Sequence, residues 1–203
     1  ADCKPWALAI GVQISCSPSL RVAMEDVEKL VKERIRSIPN YPKKGTIFRD
    51  ITPLLKDPEI FSACIKNIAD AYKGKNIDYI AGIEARGFII GAALAHEMKK
   101  GFIPIRKKGK LPYRKISESY ALEYGNETIE IHEDALSPGK NVLIVDDLLA
   151  TGGTTNAACA LIRRLQGNIV GAAFIIELDD LNGRSRLKGI DIYSIAHYHE
   201  SER

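Results

Sequence analysis

The stretch NVLIVDDLLATGGTT, residues 141–155, constrains the fold more than any other part of the chain. Val142 to Val145 form an unbroken apolar run with no polar face, so a strand built from them must be covered on both sides, as in a parallel sheet. The neighbouring segments agree. IDYIAGI from Ile77 reads as a short strand, EARG as a turn and FIIGAALAHEMKK as a helix, followed by the strand FIPIR. After residue 155 come a helix (NAACALIRRLQ) and two further strands (IVGAAFIIEL and IDIYSIA). Repeated strand–helix–strand units predict an α/β fold, an open and mostly parallel twisted sheet flanked by helices, with right-handed crossovers. ESYALEYG and ETIEIHE alternate about Gly125-Asn126, the pattern of a β-hairpin. Toward the amino terminus, helical spacing spans Val27 to Ile38 and again Glu59 to Tyr72. YPKKGTIFRDITPLLKDP between them reads as an ordered loop anchored by Ile47, Phe48, Ile51, Leu54 and Leu55.

A chain of 203 residues suits one domain, here 24–203, with residues 1–23 a poorly ordered extension. Its short apolar run, Trp6 to Ile14, is too short and too poorly flanked by basic residues for a signal peptide, and Met24 is a plausible initiator. No stretch approaches the roughly 20 apolar residues of a membrane span, so no membrane partner is expected. The net charge of +3 is too mild to mark a nucleic-acid binder, and none is expected. Cys3, Cys16, Cys64 and Cys159 are scattered without a metal-ligand spacing, which fits a reducing, cytoplasmic setting.

Ligands of open α/β sheets sit at the carboxyl ends of strands, where Asp146 and Asp147 follow the apolar run directly. Thr151, Gly152, Gly153, Thr154 and Thr155 come next, before a helix. Glycines let backbone N–H groups turn toward an anion, threonines add donors, and the helix start adds a favourable dipole. Asp, Thr and Gly are also common at helix starts, so a plain capping turn is the competing reading, but it leaves the paired acids unexplained. No lysine stands in the loop and no G-x-G-x-x-G occurs, which argues against P-loop and dinucleotide enzymes. Two acids beside a phosphate cradle suit the vicinal diol of a ribose 5-phosphate.

VLIVDDLLATGGTT resembles the signature of the type I phosphoribosyltransferases. YPKKGTIFRDITPLLKDP, DYIAGIEARGFIIG, and IRKKGKLP leading to YALEYG resemble the branch of that family that uses adenine. The likeness spans about Val27 to Tyr198, with Glu84-Ala85-Arg86 standing where Asp-Ser-Arg also occurs and Thr155 where methionine is frequent. It implies the type I phosphoribosyltransferase fold with a small hood, about 38–56, and a flexible catalytic loop, about 108–132. It implies transfer of ribose 5-phosphate from phosphoribosyl pyrophosphate to adenine, giving AMP and pyrophosphate, in a homodimer with Mg²⁺ held mainly by substrate and water rather than by direct protein ligands. Asp146, Asp147 and Ala150 through Thr155 are then expected on the ribose and its 5-phosphate. Glu84, Ala85, Arg86, Gly87, Arg106, Lys107 and Lys110 are expected at the pyrophosphate, and Ile47, Phe48 and Arg49 at adenine. Glu123 would manage the adenine proton, Tyr124 would cover the site, and Arg86 and Arg106 would complete the catalytic set. The alternatives are a 6-oxopurine phosphoribosyltransferase and a non-catalytic regulator that binds the same donor. His96, His132, His197 and His199 have no evident partners in the sequence and read as structural or surface residues.

Overall fold

The computed structural model describes residues 24–121 and 125–199. The expected extension, 1–23, and Glu123 and Tyr124 lie outside the described residues. Helix α1 is Met24–Arg34, followed by strands β1 (Arg36–Pro39) and β2 (Ile47–Asp50), then helices α2 (Thr52–Lys56) and α3 (Pro58–Ala71). Strand β3 (Tyr79–Ile83), helix α4 (Arg86–Met98) and strand β4 (Gly101–Lys107) form the first crossover. A hairpin, β5 (Lys115–Ala121) and β6 (Asn126–His132), precedes β7 (Asn141–Leu149), α5 (Gly153–Arg164), β8 (Asn168–Leu178) and β9 (Ile192–Tyr198).

Among the described residues, seven strands form the main sheet in the order β5-β6-β4-β3-β7-β8-β9. The run from β4 to β9 is parallel, and β6 and β5 are added antiparallel at one edge. Alternate residues of the central strands feed two cores, which is what the unbroken apolar runs require. Ile80, Leu143, Val145, Ala173 and Ile175 face α3 and α4, while Ala81, Ile83, Val142, Ile144, Ala172 and Phe174 face α5. Val142 to Val145 are all fully buried.

The chain leaves β3 toward β4 on one side and β7 toward β8 on the other, so strand order reverses between β3 and β7. At such a switch point the two connecting loops diverge and leave a crevice beyond the strand ends.

Three sequence expectations are corrected. The first helix ends at Arg34 rather than Ile38, because the backbone of Ile38 is steered from helical geometry by Pro39 and residues 36–39 pair instead with β2, Arg36 opposite Asp50 and Pro39 opposite Ile47. The supposed loop between the first two helices contains β2 and α2. Strand β7 runs on through Asp146 and Asp147 to Leu149, so the acids belong to the strand itself, Asp146 opposite Phe174 of β8.

Candidate active site

The crevice is assembled by the turn after β3 and the end of β7. Gly87 makes their meeting possible: a Cβ there would lie 2.8 Å from Asp146 Oδ1 and 2.9 Å from the Val145 carbonyl, so any larger residue would push the two loops apart. The Glu84–Ala85 peptide just before it is cis. Arg86, thrown forward by this turn, donates from Nε to Asp147 Oδ2, and its guanidinium lies 5.4 Å from the centre of the Phe48 ring in the hood. Burial and the adjacent Asp147 charge push the Asp146 carboxyl well above the usual carboxylate range. The acids thus differ: Asp147 pairs directly with Arg86, whereas Asp146 feels that cation only as a lesser influence.

Beyond the acids the chain turns through Ala150–Gly152 into α5. Gly152 has φ +76°, and a Cβ on it would meet the Gly183 carbonyl at 2.5 Å, so it is confined to glycine by conformation and by space. The first N–H groups of α5 have no intrahelical acceptor, which leaves them for an anion. Thr154 presents its hydroxyl at the surface of this cradle, but the Thr155 side chain is only 3% exposed, so Thr155 can offer an anion only its backbone N–H.

The basic segment is organised by Glu84. Arg106 donates from Nε and Nη2 to the two Glu84 oxygens at 3.2 and 3.3 Å, and the Lys107 amide donates to Oε2 at 3.0 Å. Burial works to raise the Glu84 carboxyl, but these bonds outweigh it and hold the group below the usual range. The Glu84 carboxylate therefore positions Arg106 and Lys107. Arg106 Nη1 also reaches the Lys110 carbonyl at 3.2 Å, and Lys107 Nζ pairs with Glu127 at 2.6 Å.

The hairpin leans on the cradle through Tyr120, a residue sequence reasoning missed. Its hydroxyl donates to Glu127 at 2.7 Å and accepts from Thr154 Oγ1 at 2.9 Å. Burial pushes the Tyr120 phenol up to about 12, so it stays a donor through the neutral range. Ser117, Ser119 and Ala121 face outward on β5, and that alternation already pointed Tyr120 inward. Arg164 of α5 adds bonds to the Ser117 carbonyl at 2.6 Å and to Glu118 at 3.2 Å.

The three hood residues divide between the faces of β2. Phe48 points toward Arg86, whereas Ile47 and Arg49 line a cavity of about 130 Å³ with Gly45, Leu178, Leu181 and Tyr198. Arg49 is itself buried, donating to Ser37 Oγ at 2.5 Å with its guanidinium 4.1 Å from the Tyr198 ring centre. Leu178 and Leu181 carry no local motif, and only the fold brings them opposite the hood. The expectation of partnerless histidines fails for two of them. His197 Nδ1 lies 2.9 Å from Asp179 Oδ1, and His199 Nε2 lies 3.3 Å from Asp179 Oδ2. These contacts join β9 to the turn after β8, a proximity that sequence spacing does not carry.

An acid pair, an arginine turn and an anion cradle at the switch point of a parallel α/β sheet define a phosphoribosyl-transferring class of protein. The chain belongs to the phosphoribosyl transferase family, whose domain pattern matches residues 50–195. It is 61% identical over 165 residues to the adenine phosphoribosyltransferase of Halothermothrix orenii, covering 81% of this chain and 97% of that relative. The corresponding protein of Parvibaculum lavamentivorans is 54% identical over 162 residues, covering 80% of this chain and 93% of the relative. Among solved structures, the adenine phosphoribosyltransferase of Thermoanaerobacter pseudethanolicus superimposes with a TM-score of 0.82 at 48% identity, covering 84% of this chain and 99% of that one. That of Saccharomyces cerevisiae, complexed with an imino-altritol bisphosphate and adenine, gives 0.80 at 37% identity, with 84% of this chain and 99% of that one covered. Within the family, the chain belongs with the adenine phosphoribosyltransferases.

Proposed function

We propose that this enzyme transfers ribose 5-phosphate from phosphoribosyl pyrophosphate to adenine, releasing AMP and pyrophosphate. The observation that carries the reading is the approach of the Arg86 turn to Asp146 across Gly87, which puts a cation, a diol-binding acid pair and an anion cradle in one crevice. Asp146 and Asp147 hold the ribose hydroxyls, and Ala150 to Thr155 hold the 5-phosphate. Arg86 and Lys107 exchange their carboxylate partners for pyrophosphate oxygens, with Arg106 kept in place by Glu84. As adenine N9 forms its bond to ribose C1, the bond from C1 to the pyrophosphate oxygen breaks. Positive charge grows on the ring, negative charge on the leaving group, and these side chains stabilise the latter. By family resemblance, Glu123 takes the N9 proton and Tyr124 covers the site.

The base is read between the hood and the carboxyl ends of β8 and β9, with Ile47 and Leu178 providing apolar walls. Among the described residues strand β2 pairs with β1 alone, so its other edge keeps backbone donors and acceptors available for the adenine rim. Mg²⁺ asks for hard oxygen ligands, and the carboxylates of Asp146 and Asp147 suit it in donor type. When bound, chiefly through substrate oxygens and water near these acids, it would supply positive charge against the pyrophosphate. The reading includes a homodimer, for which the 47% exposed Ile89 at the start of α4 offers apolar surface, and a reducing cytoplasmic setting, in keeping with free, buried Cys64 and Cys159.

The test is formation of nucleoside monophosphate from phosphoribosyl pyrophosphate and Mg²⁺ with adenine, hypoxanthine or guanine offered separately. AMP from adenine alone is the expected result. A 6-oxopurine product overturns the base assignment and leaves the ribose phosphate site intact, whereas donor binding without any product points to a regulator.

A further inference from the structure

Arg186 carries a charge that no other described residue uses. It ends the 3-10 turn Gly183–Arg186, which is pinned at two places. Arg184 donates from Nε and Nη2 to the two oxygens of buried Glu177, each at 2.7 Å, and Ser194 adds a bond to the same carboxylate at 2.6 Å. Gly183 lies backbone to backbone against Ala150 and Gly152, too close for any side chain. Successive residues of a 3-10 turn project about 120° apart, so with Arg184 committed to β8, Arg186 is aimed elsewhere. Its direction is the anion cradle: a Cβ built on Gly153 would lie 3.6 Å from Arg186 Nη1 and 3.3 Å from the Tyr120 ring. Among the described residues, the Arg186 guanidinium has no hydrogen-bond or ion-pair partner.

The cradle lacks such a charge. Its backbone N–H groups and threonines are neutral donors, and a helix start is equivalent to about half a positive charge, whereas a phosphate monoester carries about −1.5 to −2 at neutral pH. Arg86, Arg106 and Lys107 are engaged with Asp147, Glu84 and Glu127 toward the other end of the crevice. We propose that Arg186 is a binding residue for the 5-phosphate of phosphoribosyl pyrophosphate and AMP, supplying the cation that the loop itself does not contain. The proposal rests on reading the loop as the 5-phosphate cradle. An arginine there offers several N–H donors in a planar fork, the geometry that suits phosphate oxygens.

The test measures binding of ribose 5-phosphate and, separately, of pyrophosphate to the full chain by titration calorimetry, for wild type, R186Q, R186K and the double variant T151V/T154V. The expected result is that R186Q weakens ribose 5-phosphate about tenfold and leaves pyrophosphate unchanged, since one charge-assisted contact is lost. R186K should recover part of the loss, and the salt dependence of ribose 5-phosphate binding should be shallower in R186Q. Wild-type ribose 5-phosphate affinity in R186Q, with weakening in T151V/T154V, overturns the Arg186 assignment and keeps the cradle. Unchanged affinity in both variants overturns the cradle and the assignment together. Equal weakening of both ligands, or no recovery in R186K, shows a general disturbance and also overturns the assignment.

Discussion

The cradle after β7 and the hairpin β5–β6 serve one site but are held by opposite means. The cradle sits at the centre of a parallel sheet and is fixed by backbone packing, Gly87 against β7 and Gly183 against Gly152, contacts that leave no slack. The hairpin lies at the sheet edge and touches the cradle through Tyr120 to Thr154, while Arg164 at the far end of α5 bonds Ser117 and Glu118. Packing of the first kind has steep repulsive walls, while hydrogen bonds at a wet edge exchange readily with water. The difference predicts a division of labour in the proposed reaction, with substrate located by the centre and access governed by the edge.

Breaking the centre should cost most. Gly183→Ala places a methyl group into the loop beneath the cradle and is expected to lower stability by about 2–3 kcal/mol, seen as a lower Tm, and to raise KM for the donor. A variant with wild-type Tm and KM would show that the cradle yields after all. Glu123→Ala should lower kcat by about 100-fold with AMP affinity nearly unchanged; equal turnover would remove Glu123 from proton transfer.

Asp146 and Asp147 sharpen the contrast, because they are set for ligand rather than for the free fold. Changing both to Asn should weaken donor binding by about tenfold or more. Asp146→Asn alone should stabilise the ligand-free enzyme at neutral pH by about 1 kcal/mol. The sign follows from the raised folded-state value: stability is fully present below the ordinary carboxylate range and falls as pH rises toward the raised value. Urea unfolding at pH 4 and pH 8 checks this, and an equal gain at both would refute a titration origin. The smallest effect belongs to Tyr120→Phe, which removes the bonds to Glu127 and Thr154 and should raise the donor KM only a few-fold.

Much of this could be read in the residues. Val142 to Val145 announced a strand buried on both faces, and the acids and glycines after it announced an anion site, because those features act over a few residues. The hood strand Arg36–Pro39 was hidden, since its pairing partner, Ile47–Asp50, lies across a loop and helical spacing continued up to Ile35. Glu84 was legible as a site residue, but its work in ordering Arg106 and Lys107 depends on β3 and β4 lying side by side. Gly183 and Arg186 carry no signature at all; their importance arises when the turn after β8 folds back on a loop some thirty residues earlier.

That turn is a party wall. Leu178 and Leu181 face the hood cavity proposed for the base, and within two residues of Leu181 the same segment becomes Gly183, packed against the loop proposed for the phosphate. Efforts to retune the enzyme for a bulkier or differently substituted base from this side will therefore disturb affinity for the sugar donor. The hood strand, joined to the cradle by no such backbone contact among the described residues, is where base preference is expected to be rewritten on its own.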